Sequence, residues 1–179
     1  NTFHGYLDDK ALNPIKNGAD LLLASNVFAH SDDLKSMAES MKKLIKPDGK
    51  IIIEVQYILN TIEDLSFDNI YHEHTNYWSL SSLVIFLKKL QLAIFKVEKI
   101  NTHGGSIRVY VSQDKNIEAD KSVDDLLKVE EEFGLKDIST YIDFGKKIQS
   151  LKTNFINNFE KFKNKKIIFY GSPAKATTK

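Results

Sequence analysis

Ala19-Asp20-Leu21-Leu22-Leu23-Ala24 opens the stretch that decides the fold, and Lys50-Ile51-Ile52-Ile53-Glu54-Val55 closes it. Both are short apolar runs bounded by polar turn residues, the pattern of strands buried on two faces. Between them, Ser31-Asp32-Asp33 offers side chains that cap a helix N-terminus. Leu34, Met37, Ala38, Met41, Leu44 and Ile45 then recur at helical spacing. Lys42, Lys43 and Lys46 suit the negative end of that helix, and Pro47-Asp48-Gly49 is expected to stop it with a turn. Strand, capped helix, turn and strand make a βαβ unit, and its crossover requires the two strands to run parallel.

In open α/β sheets, ligands bind at the carboxyl ends of the strands. Two segments fall there: Ser25-Asn26-Val27-Phe28-Ala29-His30 and Gln56-Tyr57. Further on comes Ile70-Tyr71-His72-Glu73-His74, followed by Thr75-Asn76-Tyr77-Trp78-Ser79. A neutral imidazole takes a proton near pH 7, a phenol orients an oxygen, and a carboxylate holds an imidazole in one tautomer. In a helical conformation Tyr71 and His74 share a face. In an extended one Tyr71 pairs with Glu73, and His72 with His74.

Working outward, residues 59–68 read as a short helix. Ser79 caps another whose apolar face is Leu80, Leu83, Val84, Phe86, Leu87 and Leu90. Residues 93–100 and 107–111 are β-rich and flank Asn101-Thr102-His103-Gly104-Gly105-Ser106, so they form a hairpin. Gly104 and Gly105 serve the turn or admit close backbone approach to a ligand. Residues 123–133 and 138–162 carry helical spacing, broken at Gly134 and strained at Gly145, and read as a packing connector. Ile167-Ile168-Phe169-Tyr170 reads as a strand, followed by the small-residue turn Gly171-Ser172-Pro173-Ala174-Lys175, a type that cradles phosphate. The organisation expected is α/β: residues 1–114 as one domain with a hairpin, 115–164 as a helical connector, and 165–179 as the start of a second α/β domain.

Composition narrows the function class. Of 179 residues 42% are hydrophobic, enough for a core. Lys and Arg number 25 against 24 Asp and Glu, a formal net charge of +1, which suggests neither nucleic acid nor membrane as partner. With no Cys there is no disulfide scaffold, zinc–thiolate site or cysteine nucleophile. The expected location is the cytoplasm, and the start at Asn1 without Met reads as mid-chain, so a fragment is expected.

The βαβ unit with Tyr71-His72-Glu73-His74, Tyr77-Trp78-Ser79, His103-Gly104-Gly105-Ser106-Ile107-Arg108-Val109 and Tyr170-Gly171-Ser172-Pro173-Ala174-Lys175 resembles a known family. These are the sugar C-methyltransferases that act on nucleotide-linked keto-deoxysugars, in the class I S-adenosylmethionine-dependent superfamily. The resemblance implies the second half of a Rossmann-like methyltransferase domain, a helical linker and the start of a second α/β domain. It implies methylation of a ring carbon beside a ketone, with His30, Tyr71, Glu73 and His74 as the active-site set. It also places a Gly-rich S-adenosylmethionine loop, an acidic ribose-binding residue and a zinc-binding region before Asn1. Where the family's last motif continues Gly-Asn-Thr, this sequence has Ala176-Thr177-Thr178.

The chemistry needs a base for the proton next to the carbonyl, a group that steadies the enolate oxygen, and tight alignment. His74 is the expected base, Glu73 orients an imidazole, and Tyr71 bonds the ketone oxygen, while His72 is expected to be a solvated neighbour. Ala24, Asn26 and Phe28 are the expected cofactor edge. Asn26, His103, Gly104, Gly105, Arg108, Ser172 and Lys175 are the expected contacts to the nucleotide-diphosphate sugar. His103 and Arg108 either meet the diphosphate or finish the hairpin, and Lys175 either pairs with phosphate or is a surface lysine. Two other classes remain: a metal-dependent hydrolase using His72, Glu73 and His74, and a nucleotide-sugar binding module without catalysis.

Overall fold

The computed structural model describes residues 18–114 and 116–168, with Leu7, Ile15, Tyr170 and Gly171. Strands β1 (Ala19–Ser25) and β2 (Ile45–Gln56) pair in parallel, from Leu21 beside Lys50 to Ser25 beside Glu54. Helix α1 (Leu34–Leu44) makes the crossover, and its first turn is capped by Asp33, whose side chain accepts the Ser36 N–H at 3.0 Å. Ala38, Met41 and Leu44 are its buried apolar face. One expectation needs correction. Pro47-Asp48-Gly49 is not a separate turn, because β2 begins at Ile45, directly after the helix. Ala19 pairs with Ile45 and regular pairing resumes at Leu21 and Lys50, so the intervening residues form a bulge. Gly49 is needed inside it: a Cβ there would lie 2.8 Å from the Ile45 side chain and 2.9 Å from the Ala19 carbonyl oxygen.

After β2 come the short helix α2 (Ile58–Glu63) and helix α3 (Leu80–Lys89), then the hairpin of β3 (Ala93–Ile100) and β4 (Ser106–Ser112). The sheet order is β1-β2-β4-β3, with β4 antiparallel to both neighbours. Strand β3 therefore runs parallel to β1 and β2, and the turn that follows it lands on the same edge as their carboxyl ends. Ile51, Ile53 and Val55 of β2 and Ile107, Val109 and Val111 of β4 share one buried hydrophobic cluster with Leu80, Leu83 and Leu87 of α3. Each such side chain contributes about 1.5–3 kcal/mol relative to exposure, so this layer fixes the sheet under the candidate site.

Helix α4 (Lys121–Phe133) packs on β3 and α3. Asp120 caps it, accepting the Ser122 N–H at 2.8 Å, and Ser122 Oγ accepts the Val97 N–H at 3.1 Å. The helix ends at Gly134, in the left-handed region at φ 78°. Helix α5 (Ile138–Glu160) runs through Gly145 without a break, contrary to the strain expected there, because its i→i−4 ladder is not interrupted and nothing crowds the glycine. Phe144 is the buried residue of α5. The expected strand at 167–170 is not formed at Ile167, Ile168 or Tyr170, and Phe169 lies outside the described residues. Ile168 and Tyr170 are exposed and find no ladder partner among the described residues, and a strand needs one.

On the sheet face opposite α3, Leu21 and Leu23 are exposed beside a polar ladder. Glu54 accepts from Ser25 Oγ at 2.6 Å and from Arg108 Nε at 2.6 Å. Glu98 takes Tyr110 Oη at 2.9 Å and Lys96 Nζ at 2.7 Å. No helix of the described residues is long and apolar enough to cross a membrane.

Candidate active site

Strand β1 ends at Ser25, and Asn26 turns the chain with φ at +53°, a conformation that asparagine tolerates better than most residues. Its N–H donates to the Glu54 carbonyl at 2.9 Å. A short 3₁₀ turn, Phe28–His30, follows. Phe28 is fully buried against Trp78 and Phe86, with ring centroids 6.1 and 6.5 Å away. This anchor leaves His30 at the surface of the carboxyl edge.

Facing it, the Tyr71 segment folds as a tight turn, with the His74 N–H donating to the Tyr71 carbonyl at 3.0 Å. The turn realises the shared-face alternative without a helix: the Tyr71 and His74 ring centroids lie 4.6 Å apart. The segment is fastened to the end of the 3₁₀ turn. The Ala29 carbonyl accepts the Thr75 N–H at 2.9 Å and the Asn76 N–H at 3.2 Å, and Asn76 Nδ2 donates to the Ser31 carbonyl at 2.9 Å. His30 and His74 thereby meet edge to face, 4.9 Å between centroids.

The backbone sets the tautomers of both imidazoles. His74 Nδ1 lies 2.9 Å from the Asn69 carbonyl oxygen, and His30 Nδ1 lies 2.7 Å from that of Glu73. A carbonyl only accepts, so each Nδ1 carries the hydrogen and each lone pair is on Nε2. The Tyr71 hydroxyl donates to Glu73 Oε2 at 3.2 Å. Burial, helped by Glu73, raises its pKa above the ordinary tyrosine value, so it stays a donor.

His30, Tyr71, Glu73 and His74 line one cleft of about 290 Å³, together with Asn26 and His103. Gln56, which the sequence already placed on the ligand edge without a role, also lines it, as does Asn69, which the sequence did not single out. Asn69 is buried at the end of a 3₁₀ turn, Phe67–Asn69, and carries no periodic signal. Gln56 Nε2 donates to the His103 carbonyl at 2.9 Å and joins β2 to the hairpin turn.

Other expected site residues lie elsewhere. Ala24 and Phe28 are core residues, both buried in the hydrophobic cluster, Phe28 with its ring against Trp78 and Phe86. Of the expected cofactor edge, Asn26 alone lines the cleft. Arg108 sits mid-strand in β4, in register with Glu54 and Glu98, and is paired with both. It is not a cleft residue. Gly104 and Gly105 form the hairpin turn at φ 78° and 105°, and Gly105 abuts Asn60, where a Cβ would come within 2.7 Å of Asn60 Cγ. Ser172 and Lys175 lie outside the described residues. His72 is exposed, with Nε2 3.9 Å from Glu73 Oε1. His74 instead faces His30, so the two histidines expected of a hydrolase diverge. Among the described residues no three His, Asp or Glu side chains form a metal-holding group.

Residues 101–179 match the family model of the C-methyltransferase C-terminal domain. Over 94 residues the chain is 34% identical to the C-methyltransferase NovU of Streptomyces niveus, a match covering 52% of this chain and 22% of that protein. The chain thus spans about a fifth of the length of this curated relative. A chain from the complex containing the Haloferax volcanii Trm112 methyltransferase activator superposes with a TM-score of 0.50 at 14% identity, over 63% of this chain and 60% of that one. This likeness bears on the fold alone. The family match over residues 101–179 and the likeness to NovU show the second part of the chain to be similar to C-methyltransferases, and the solved structure shows a similar fold.

Proposed function

We propose that this chain carries the proton-transfer half of an S-adenosylmethionine-dependent C-methyltransferase, acting on a carbon next to a ketone in a nucleotide-linked deoxysugar. The observation that carries the reading is the pair of imidazoles whose Nδ1 atoms are held by backbone carbonyls, with the Tyr71 ring tilted against that of His74 in one cleft. His74 Nε2 takes the proton from the carbon next to the ketone, and the electron pair moves to the oxygen as an enolate. Tyr71, kept protonated, turns its single O–H from Glu73 Oε2 to that oxygen as the enolate forms. Before that step Glu73 holds the Tyr71 hydroxyl through its carboxylate, and its carbonyl holds the His30 ring throughout. The carboxamides of Asn26, Gln56 and Asn69 suit the hydroxyls of a sugar ring better than an apolar acceptor. S-adenosylmethionine supplies the electrophilic methyl group when bound. Toward it the described residues offer Asn26 at the end of β1, which fits one edge of such a cofactor and does not enclose it.

The test uses the full-length protein and a nucleoside-diphosphate keto-deoxysugar in deuterium oxide. Exchange at the carbon next to the ketone should occur, and His74→Ala should slow it by ~10²–10⁴, the usual range for a general base. Nucleotide affinity should change less than twofold. Exchange within a few-fold of wild type would remove His74 as the base. No exchange in the wild type would favour a binding module without catalysis.

A further inference from the structure

Glu130 of α4 is a carboxylate at 2% exposure, far from the cleft residues in sequence. Oε1 accepts the Leu80 N–H at 2.5 Å and Oε2 accepts the Ser81 N–H at 2.9 Å. Both donors belong to the first turn of α3, which already has its own cap. Ser79 Oγ takes the Ser82 N–H at 3.1 Å, Ser82 Oγ takes the Ser79 N–H at 3.0 Å, and the Ser79 carbonyl takes the Leu83 N–H. Glu130 completes the set of four N–H groups that a helix start leaves open. A buried charge is a costly way to do so, since desolvation opposes it and an apolar residue would pack α4 without that cost. What the carboxylate adds is a link between α4 and a point two residues after Trp78.

Trp78 is a strut under the cleft. It bridges to Tyr57, its carbonyl accepts the Ile58 N–H at 3.0 Å, and its ring packs on Phe28. Tyr57 is fully buried, directly follows Gln56, and donates its N–H to the Gly105 carbonyl at 3.1 Å. Burial first, and then the Glu130 carboxylate, push its hydroxyl far above the usual tyrosine range. The strut thus touches the anchors of both walls.

We propose that Glu130 is a positioning residue for the His74 cleft: its carboxylate ties α4 to the start of α3, and so holds the Tyr57–Trp78 strut on which the Tyr71–Tyr77 segment closes. The connector helix thereby controls the alignment of an imidazole it does not touch. Only the turnover part of the test rests on the proposed function.

The test is Glu130→Gln in the full-length protein, a change that keeps the shape and removes one acceptor. Hydrogen exchange at the Thr75 and Asn76 amides should rise at least tenfold, with the β2–β4 ladder amides within twofold. In turnover, kcat should fall tenfold or more while KM for both substrates stays within twofold. Leu87→Val, a loosening of the far end of α3, should leave kcat within twofold at a similar loss of Tm. Glu130→Asp should reproduce the pattern at smaller size, and it decides the matter if the glutamine variant does not fold. Unchanged exchange at Thr75 and Asn76, a uniform rise across the sheet, or an equal kcat loss in Leu87→Val would each reduce Glu130 to a structural residue. A wild type without turnover would overturn the proposed function, and the exchange measurement would still decide the role of Glu130.

Discussion

Tyr71→Phe separates the two things that Tyr71 does. The hydroxyl donates to Glu73 Oε2 at 3.2 Å, a long bond to an exposed carboxylate. The ring lies 4.6 Å from the His74 ring and is unaffected by the change. Losing an exposed bond of this length costs about 0.5 kcal/mol of stability, the low end for a hydrogen bond. Losing a donor aimed at a developing oxyanion costs ~2.7–4 kcal/mol of transition-state stabilisation, a factor of ~10²–10³ in kcat. The two magnitudes differ about sixfold, so parallel thermal melts and single-turnover kinetics on the full-length protein tell them apart. The expected result is a Tm close to wild type with kcat down at least a hundredfold and nucleotide-sugar KM barely moved. Because the Tyr71 pKa is raised from its ordinary value of 10.0, wild-type activity should also show no loss below pH 10 from this group. A kcat within threefold of wild type would place the hydroxyl away from the reacting oxygen. A Tm loss as large as the kcat loss would make Tyr71 a support for the His74 ring.

Gly105→Ala should destabilise the protein by ~1–3 kcal/mol and raise the sugar-nucleotide KM, since φ is 105° and the new Cβ would meet Asn60 at 2.7 Å; chemical denaturation showing no change would mean that the turn relaxes freely. Hydrogen bonds from Ser25 and then Arg108 hold the Glu54 carboxyl below its ordinary value of 4.5, so their contribution is present above that pH and lost as pH falls through the lower folded value. Arg108→Met should therefore flatten the decline of Tm below pH 4.5 and leave the sugar-nucleotide KM within twofold; a large KM effect would return Arg108 to substrate binding. Calorimetry of this 179-residue chain with S-adenosylmethionine should show no micromolar binding, since of the expected edge Asn26 alone reaches the cleft, and a micromolar dissociation constant would show a cofactor site other than the one inferred.

The features legible in the sequence were those set locally. Asp33 and Ser79 announce helix starts because an N-cap needs only its own next three residues. The β1–α1–β2 pairing followed from a crossover rule, and the hairpin from two glycines between β-rich runs. What escaped depended on distant partners. Phe28 sat on the ligand edge in sequence, yet its ring is drawn under by Trp78 and Phe86, some fifty residues on. Arg108 looked like a phosphate ligand until β4 slotted between β2 and β3 and set it between two carboxylates. The Pro47 bulge depends on where Ala19 pairs, and the strand expected at Ile167 needs a neighbour that its own residues cannot specify. The proximity of His30, Tyr71 and His74 came through because one short segment holds two of them, although the backbone carbonyls that set their tautomers leave no mark in the sequence.

The insertion of β4 between β2 and β3 also makes one wall of the cleft exchangeable. The ladders on both sides of β4 are closed from Ser106 onward, so their register does not depend on what fills the preceding turn. That turn reaches the cleft through His103, while the imidazoles and the phenol come from segments about thirty residues or more earlier. Gly104 and Gly105 both hold positive φ, and Gly105 is pinned against Asn60 and Tyr57, which confines tolerated change to Asn101–His103. Lineages of such a scaffold can therefore diverge in what they accept by rewriting three residues at a strand junction, with the proposed acid–base apparatus inherited intact. A library randomised over those three positions would sample substrate preference with little risk to folding.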